Sequence, residues 1–291
     1  MGKVSETSMG ASETAGKETG TLTETSSRTV AMVGLGAMGR PIAEHIARAG
    51  FTTLAFDLSP DARAEGVTIV KSLADLAPAD VVIVIVPTDE DVIEVVAGPD
   101  GLLQHGKPGL TVVISASVKP GTCRELAAQG EKRNIRVIDA ALTGGVRGAE
   151  NGEINLLVGG PRETADAVSD VFAAFAAHYH VLGEIGAGQI GKSANNLIHW
   201  AQIVAIEESM RLAADLGVEP AALRAALEQG PTDSRTLREI EYMRFTWYAK
   251  DIDIAEELAA PVGRDLPLAR LSRELMNRIT VASVHELLDI S

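Results

Sequence analysis

Lys192 is the one lysine of a glycine-rich stretch, Gly183–Asn196, whose residue types could present an ammonium to a small molecule. Gly183, Gly186 and Gly188 precede the lysine, and Asn195 and Asn196 follow within the next helical turn. With a helix starting near Gly188, Lys192 and Asn196 stand one above the other on a single face. One small molecule could then meet an ammonium and an amide together. The same residues would also suit a glycine-rich loop entering a helix whose polar side faces water, and the stretch alone leaves both readings open.

A second group lies near the front of the chain, at Gly34-Leu35-Gly36-Ala37-Met38-Gly39. Here Gly34 permits a tight turn, Gly36 lets a pyrophosphate approach the backbone, and Gly39 lets the following helix pack closely on the preceding strand. That helix offers free N–H groups and its positive dipole end to phosphates. Asp57 follows about twenty residues later, where a carboxylate can accept hydrogen bonds from both ribose hydroxyls and repel the extra phosphate of NADP. NAD is therefore the expected cofactor, with NADP possible; the alternative for Asp57 is a cap before Pro60. A third group, Thr143-Gly144-Gly145, opens a small, glycine-rich run whose N–H groups could form a nest for a carboxylate, or a plain loop.

Positioning these groups requires a particular order of elements. Apolar runs at Val30–Val33, Thr52–Phe56, Thr68–Val70, Val81–Val86, Thr111–Ser115 and Ile135–Ile138 alternate with helical patterns, which predicts an α/β Rossmann-type doubly wound, mostly parallel sheet. Val81–Val86 is apolar on both faces and belongs at the sheet centre. Ile154–Val158 and Val181-Leu182 read as closing strands on either side of a helix from Pro161 to Ala177. From Gly183 on, only helices are expected, including a long apolar one over Leu197–Leu216 and others from Pro220, Thr236, Trp247 and Leu268. The expected organisation is a disordered Ser/Thr/Gly-rich tail at 1–28, a dinucleotide-binding domain at 29–182 and an all-α domain for substrate and oligomer contacts at 183–291.

Composition narrows the function classes. The 291 residues carry a formal net charge of −14, which argues against nucleic acid or an acidic membrane as partner. A hydrophobic fraction of 46% fits a globular protein. The single cysteine, Cys123, excludes an internal disulfide, fits a cytoplasmic setting and reads as a buried structural thiol. No apolar run has the length to span a bilayer, and no metal-ligand cluster is expected.

Taken in order, these motifs resemble the β-hydroxyacid dehydrogenases, the group containing 3-hydroxyisobutyrate dehydrogenase and tartronate semialdehyde reductase. The resemblance covers about Thr29 to Pro267. It rests on the turn Gly34–Gly39, on Asp139–Gly145 in place of Asp-x-Pro-Val-Ser-Gly-Gly, with Ala149 and Gly152 following, on Gly183-x-x-Gly186-x-Gly188-x-x-x-Lys192-x-x-Asn195-Asn196, and on Lys250-Asp251.

The resemblance implies that Lys192 is the general acid/base for a substrate hydroxyl, with Asn196 hydrogen-bonding the substrate. It implies that Thr143, Gly144 and Gly145 hold a carboxylate. Leu35, Ala37, Met38, Pro87, Thr88, Ser117 and Lys250 would join the glycines and Asp57 around the cofactor. Asn195, His199 and Trp200 read as packing or interface residues, and Lys250 has a surface ion pair as its alternative. A homodimer or homotetramer through the helical domain is expected.

Departures are Ala141 and Thr143 in the substrate motif, Ile114-Ser115-Ala116 at a strand exit that usually carries an acid and a serine, and Asn277-Arg278-Ile279-Thr280 in place of a glycine-rich turn. The implied reaction is hydride exchange between a nicotinamide cofactor and a small β-hydroxyacid. The alternatives are imine reduction on the same architecture and a non-catalytic dinucleotide-binding protein. A retained Lys192 disfavours both.

Overall fold

The computed structural model describes residues 28–289. The expected tail lies outside the described residues except for Arg28, whose guanidinium pairs with Asp170 at 2.6 Å and donates to the Ala167 carbonyl, so this last residue of the expected tail is held by contacts.

Eight strands form one sheet: β1 (Thr29–Val33), β2 (Thr52–Phe56), β3 (Thr68–Ile69), β4 (Val81–Val84), β5 (Thr111–Ile114), β6 (Arg136–Thr143), β7 (Ile154–Gly159) and β8 (Ala176–Gly183). Their spatial order is β3-β2-β1-β4-β5-β6-β7-β8, and every pair is parallel except β6–β7. Chain order reverses at β1, so the crevice beside it is where a doubly wound sheet accepts a dinucleotide.

Period-2 alternation sends side chains to both faces. Val30, Met32 and Ile83 pack with helix α1 (Gly39–Arg48) on one side; Ala31, Val33, Val82 and Val84 pack on the other with α2 (Asp89–Ala97), α3 (Leu102–His105) and α4 (Pro120–Glu131). Cys123 of α4 is wholly buried in that second layer, and burial pushes its thiol far above the usual range, in keeping with a structural thiol.

Several expected boundaries shift. β4 ends at Val84 rather than Val86, and the helix expected from Ser72 is a single 3₁₀ turn at Leu73–Leu76. β6 continues to Thr143 instead of stopping at Ile138, because Asp139–Thr143 pair with β7 and bury their side chains. The loop expected after it is instead a two-glycine turn leading into α5 (Gly145–Asn151). The single helix expected at Pro161–Ala177 is two short ones, α6 (Arg162–Asp166) and α7 (Ser169–Ala173), and β8 is longer than Val181-Leu182.

From α8 (Ala187–Asp215) onward the chain is helical: α9 (Pro220–Leu227), α10 (Arg235–Glu239), α11 (Tyr248–Ala259), α12 (Pro267–Met276) and α13 (Val281–Leu287), the last not expected from the sequence. Trp200, Ile203 and Val204 of α8 share a third core with Ile240, Ile252 and Met276. Among the described residues no helix is long and apolar enough to cross a membrane, and no cluster of metal-ligating side chains occurs.

Candidate active site

The cofactor turn is built as the glycine spacing requires. Gly34 has φ +94°, and a Cβ there would collide with the Ile85 carbonyl; a Cβ at Gly39 would collide with the carbonyl of Gly34. Gly36 differs, since a Cβ there would meet nothing within 4 Å. Two glycines thus hold the turn closed on itself while the middle one faces open space. A dinucleotide pyrophosphate fits that opening beside the start of α1, whose first turn carries no acid to oppose it. Leu35, Gly36, Ala37 and Arg40 line a groove there together with Val146 and Arg244.

Asp57, at the exit of β2, accepts from the Leu35 N–H at 2.6 Å and from the Ser59 N–H at 2.7 Å. It caps a turn, no helix follows it before β3, and it sits against the glycine turn where a ribose-binding carboxylate is wanted. Pro87 and Thr88 are exposed in the loop after β4. Thr88 also caps α2, exchanging hydrogen bonds with Asp91. Lys250 reaches that loop from α11, with Nζ 3.4 Å from the Pro87 carbonyl; it makes no ion pair among the described residues.

Helix α8 is seated by a group the sequence reading had assigned only as the first letter of a motif. Asp139, fully buried in β6, accepts from the Gly186 N–H at 2.5 Å and the Gln189 N–H at 2.9 Å. Burial pushes its carboxyl up to about 6, and these N–H donors hold it down from rising further. Close approach is possible only because Gly159 and Gly188 lack side chains: a Cβ at Gly188 would collide with the Leu157 carbonyl and stand 2.6 Å from Asp139 Oδ2. Gln189 adds a second tie, donating to the Ala116 carbonyl at 2.9 Å and accepting from the Val118 N–H at 3.2 Å. The first turn of α8 is thereby fixed to the middle of β6 and to the segment that leaves β5.

Lys192 sits one turn further on. Its Nζ donates to the Leu142 carbonyl at 2.9 Å, and burial lowers its pKa while Asp251 opposes that shift. Ser117, Gln189, Lys192, Ser193, Asn196 and Asp251 line one small cleft, so the structure brings together Lys192, Asn196 and Ser117. Asn196 is buried, receives a hydrogen bond from Asn195 at 3.2 Å, and lies near enough to Asp251 to favour its carboxylate.

Asp251 had been read only as half of a Lys-Asp pair, with no role of its own. Trp200 Nε1 donates to it at 3.0 Å; burial raises its pKa, while Trp200, Lys192 and Asn196 favour the carboxylate. A tryptophan one turn past Asn196 needs an acceptor when buried, and that was the available signal for Asp251. His199 has Nδ1 3.0 Å from Thr236 Oγ1, and burial followed by the Lys192 charge lowers it to about 4, so the imidazole is neutral near pH 7.

Thr143 ends β6 beside this cleft. Its hydroxyl donates to the Asn155 carbonyl at 2.9 Å and accepts from Asn155 Nδ2 at 3.2 Å. Gly144 and Gly145 follow with φ +112° and +64°, a left-handed pair that turns the chain into α5. A Cβ at Gly145 would meet nothing within 4 Å, so this turn, like Gly36, faces open space.

Comparison with known proteins places this arrangement. Residues 29–191 match the model described as the NAD binding domain of 6-phosphogluconate dehydrogenase, and residues 186–290 match the one described as NAD-binding of NADP-dependent 3-hydroxyisobutyrate dehydrogenase. The human mitochondrial 3-hydroxyisobutyrate dehydrogenase is 32% identical over 203 residues, covering 68% of this chain and 60% of the human enzyme's length. A solved structure of 3-hydroxyisobutyrate dehydrogenase from Mycobacterium tuberculosis, described with L-serine, aligns over 89% of this chain and 99% of its own at 26% identity, with a TM-score of 0.78. An imine reductase from Myxococcus stipitatus shares the fold at 17% identity, over 86% of this chain and 92% of its own, with a TM-score of 0.62. The chain, an NAD(P)-binding protein by these matches, belongs to the β-hydroxyacid dehydrogenase family.

Proposed function

We propose that this protein is an NAD-dependent dehydrogenase that interconverts a small β-hydroxyacid, 3-hydroxyisobutyrate-like, and its aldehyde or ketone. The observation that carries the reading is the half-enclosed Lys192 beside Asn196, held by α8 at the end of β6. A bound nicotinamide supplies the hydride acceptor for oxidation or the donor for reduction.

Lys192 takes the hydroxyl proton in oxidation and returns it in reduction, which requires an amine whose pKa lies nearer the working pH than an ordinary lysine. Asn196 hydrogen-bonds the same oxygen and fixes its approach. Gly144 and Gly145 receive the substrate carboxylate on their open face, with Thr143, bonded to Asn155, setting the turn from behind. The turn Gly34–Gly39, Asp57, Pro87, Thr88, Ser117 and Lys250 surround the dinucleotide, and Asp57 favours NAD over NADP. A mycobacterial relative described with L-serine, itself a β-hydroxyacid, is consistent with this substrate class.

Lys192 favours hydroxyl chemistry over imine reduction, and it would have no purpose in a protein that only binds dinucleotide. Helix α8 also exposes Ile190, Ile198, Leu212 and Leu216 on one side, an apolar stripe that suits association of copies as a dimer or tetramer. A lone buried thiol suits a reducing, cytoplasmic setting. A panel of short hydroxyacids with NAD and NADP, followed at the nicotinamide absorbance, tests the reading. Turnover of β-hydroxyacids with NAD is expected; no turnover of any of them would end it.

A further inference from the structure

The turn proposed to hold the substrate carboxylate is not bare. A Cβ built on Gly144 would stand 3.4 Å from Nη1 of Arg235, so the guanidinium of a residue from the helical half lies directly over this turn. We infer that Arg235 is the residue that selects carboxylate-bearing substrates, by covering the Gly144–Gly145 turn from α10. This rests on the hydroxyacid reading above.

Three observations support it. First, Arg235 is held in place by its neighbours. Ser234 caps α10 by accepting from the Leu237 N–H at 3.1 Å, Thr236 is buried against His199 of α8, and Leu237 is buried, which leaves the Arg235 side chain on the outer side of α10, with Nη1 toward Gly144.

Second, the charges leave a surplus of positive sign. Arg235 Nε donates to Glu239 at 3.0 Å, and the same carboxylate stands 3.6 Å from Arg147 of α5, so two arginines share one acid. Arg147 is turned onto the Tyr242 ring, 4.5 Å from its centroid. Arg235 uses one edge of its fork on Glu239, and Nη1 faces Gly144. A planar fork with donors to spare is the group best shaped to meet a carboxylate.

Third, the amine meets the chain just before this turn. Lys192 Nζ is bonded to the Leu142 carbonyl, two residues before Gly144 in the same strand end. In the hydroxyacid reading, a hydroxyl at Lys192 and a carboxylate at Gly144–Gly145 are the two ends of one short substrate.

The test compares 3-hydroxyisobutyrate with its methyl ester, using wild type, Arg235→Gln and Arg235→Lys, with NAD binding measured by calorimetry. Loss of one charge-assisted contact to a carboxylate should raise KM for the acid about ten- to a hundredfold in Arg235→Gln. KM for the ester should change less than about twofold, with Arg235→Lys between the two on the acid, since it restores charge without the fork. The Kd for NAD should be unchanged in all three proteins, which separates this role from a structural one. Equal effects on acid and ester, or an unchanged KM for the acid, would overturn the inference while leaving the hydroxyacid reading intact. Absence of turnover of either compound by wild type would remove that reading and this inference with it.

Discussion

At the scale of single residues, the proposed chemistry depends on one amine and its surroundings. Burial makes the charged form of Lys192 costly, Asp251 restores part of it, and the balance lies below an ordinary lysine. The sign of the pH dependence follows. Oxidation needs the neutral amine, so kcat/KM for the hydroxyacid should rise with pH through the lowered pKa and then level off. Reduction needs the ammonium and should fall over the same range. A pH profile in both directions checks this; parallel profiles would mean that Lys192 is not the proton carrier. Asp57 belongs to the same scale. Asp57→Ala removes the carboxylate beside Leu35 that would oppose a 2′-phosphate, so the ratio of kcat/KM with NAD to that with NADP should fall about tenfold or more, one charge-assisted contact's worth. An unchanged ratio would remove Asp57 from cofactor choice.

At the scale of elements, α8 carries Lys192, the proposed proton-transfer group, and its seating is the part most sensitive to substitution. Four features meet there: the N–H groups at the start of α8, the Asp139 carboxylate, and the missing side chains of Gly159 and Gly188. Gly188→Ala inserts a methyl between Leu157 and Asp139, so it should cost about 1–3 kcal/mol, the usual range for overpacking a tight contact. It should also lower kcat, because Lys192 moves with the helix. Chemical denaturation and steady-state rates check both; a stability loss under about 0.5 kcal/mol with normal kcat would contradict the account.

This junction also shows where the sequence was readable. The glycines of Gly34–Gly39 and Gly183–Gly188 were legible because turns with left-handed backbone and close approach restrict the residue type. Helix α8 starts at Ala187, beside the Gly188 start considered for it, and so begins ten residues ahead of the apolar run Leu197–Leu216 expected to be helical. Asp139 was not legible as an anchor. A carboxylate inside a strand makes sense only when the donors facing it are known, and those come from a helix about fifty residues later. The extension of β6 to Thr143 was hidden for a related reason, because antiparallel pairing with β7 is a tertiary decision that overrides a glycine-rich local signal. Asp251 and Arg235 likewise gain meaning only from what lies across the cleft.

At the scale of the whole molecule, the sheet supplies a dinucleotide crevice and the helical half supplies Lys192, Asn196 and Asp251 at its edge. The proposed reactive groups therefore lie where the sheet meets the helical segment. The apolar stripe on α8 faces away from this cleft, with Ile198 and Leu212 each 61% exposed. A surface helix of that kind argues for association between copies. Sedimentation should give a species larger than the 30.5 kDa chain, and Leu212→Glu should shift it toward the monomer; a monomeric wild type would contradict the proposed role of the stripe. The most direct test of the central claim compares wild type with Lys192→Ala, using 3-hydroxyisobutyrate and NAD, with turnover followed at the nicotinamide absorbance and NAD binding measured separately. The account predicts that turnover falls by at least about a hundredfold, the usual contribution of a positioned acid/base, while the Kd for NAD stays within about twofold. Near-normal turnover in Lys192→Ala would contradict it.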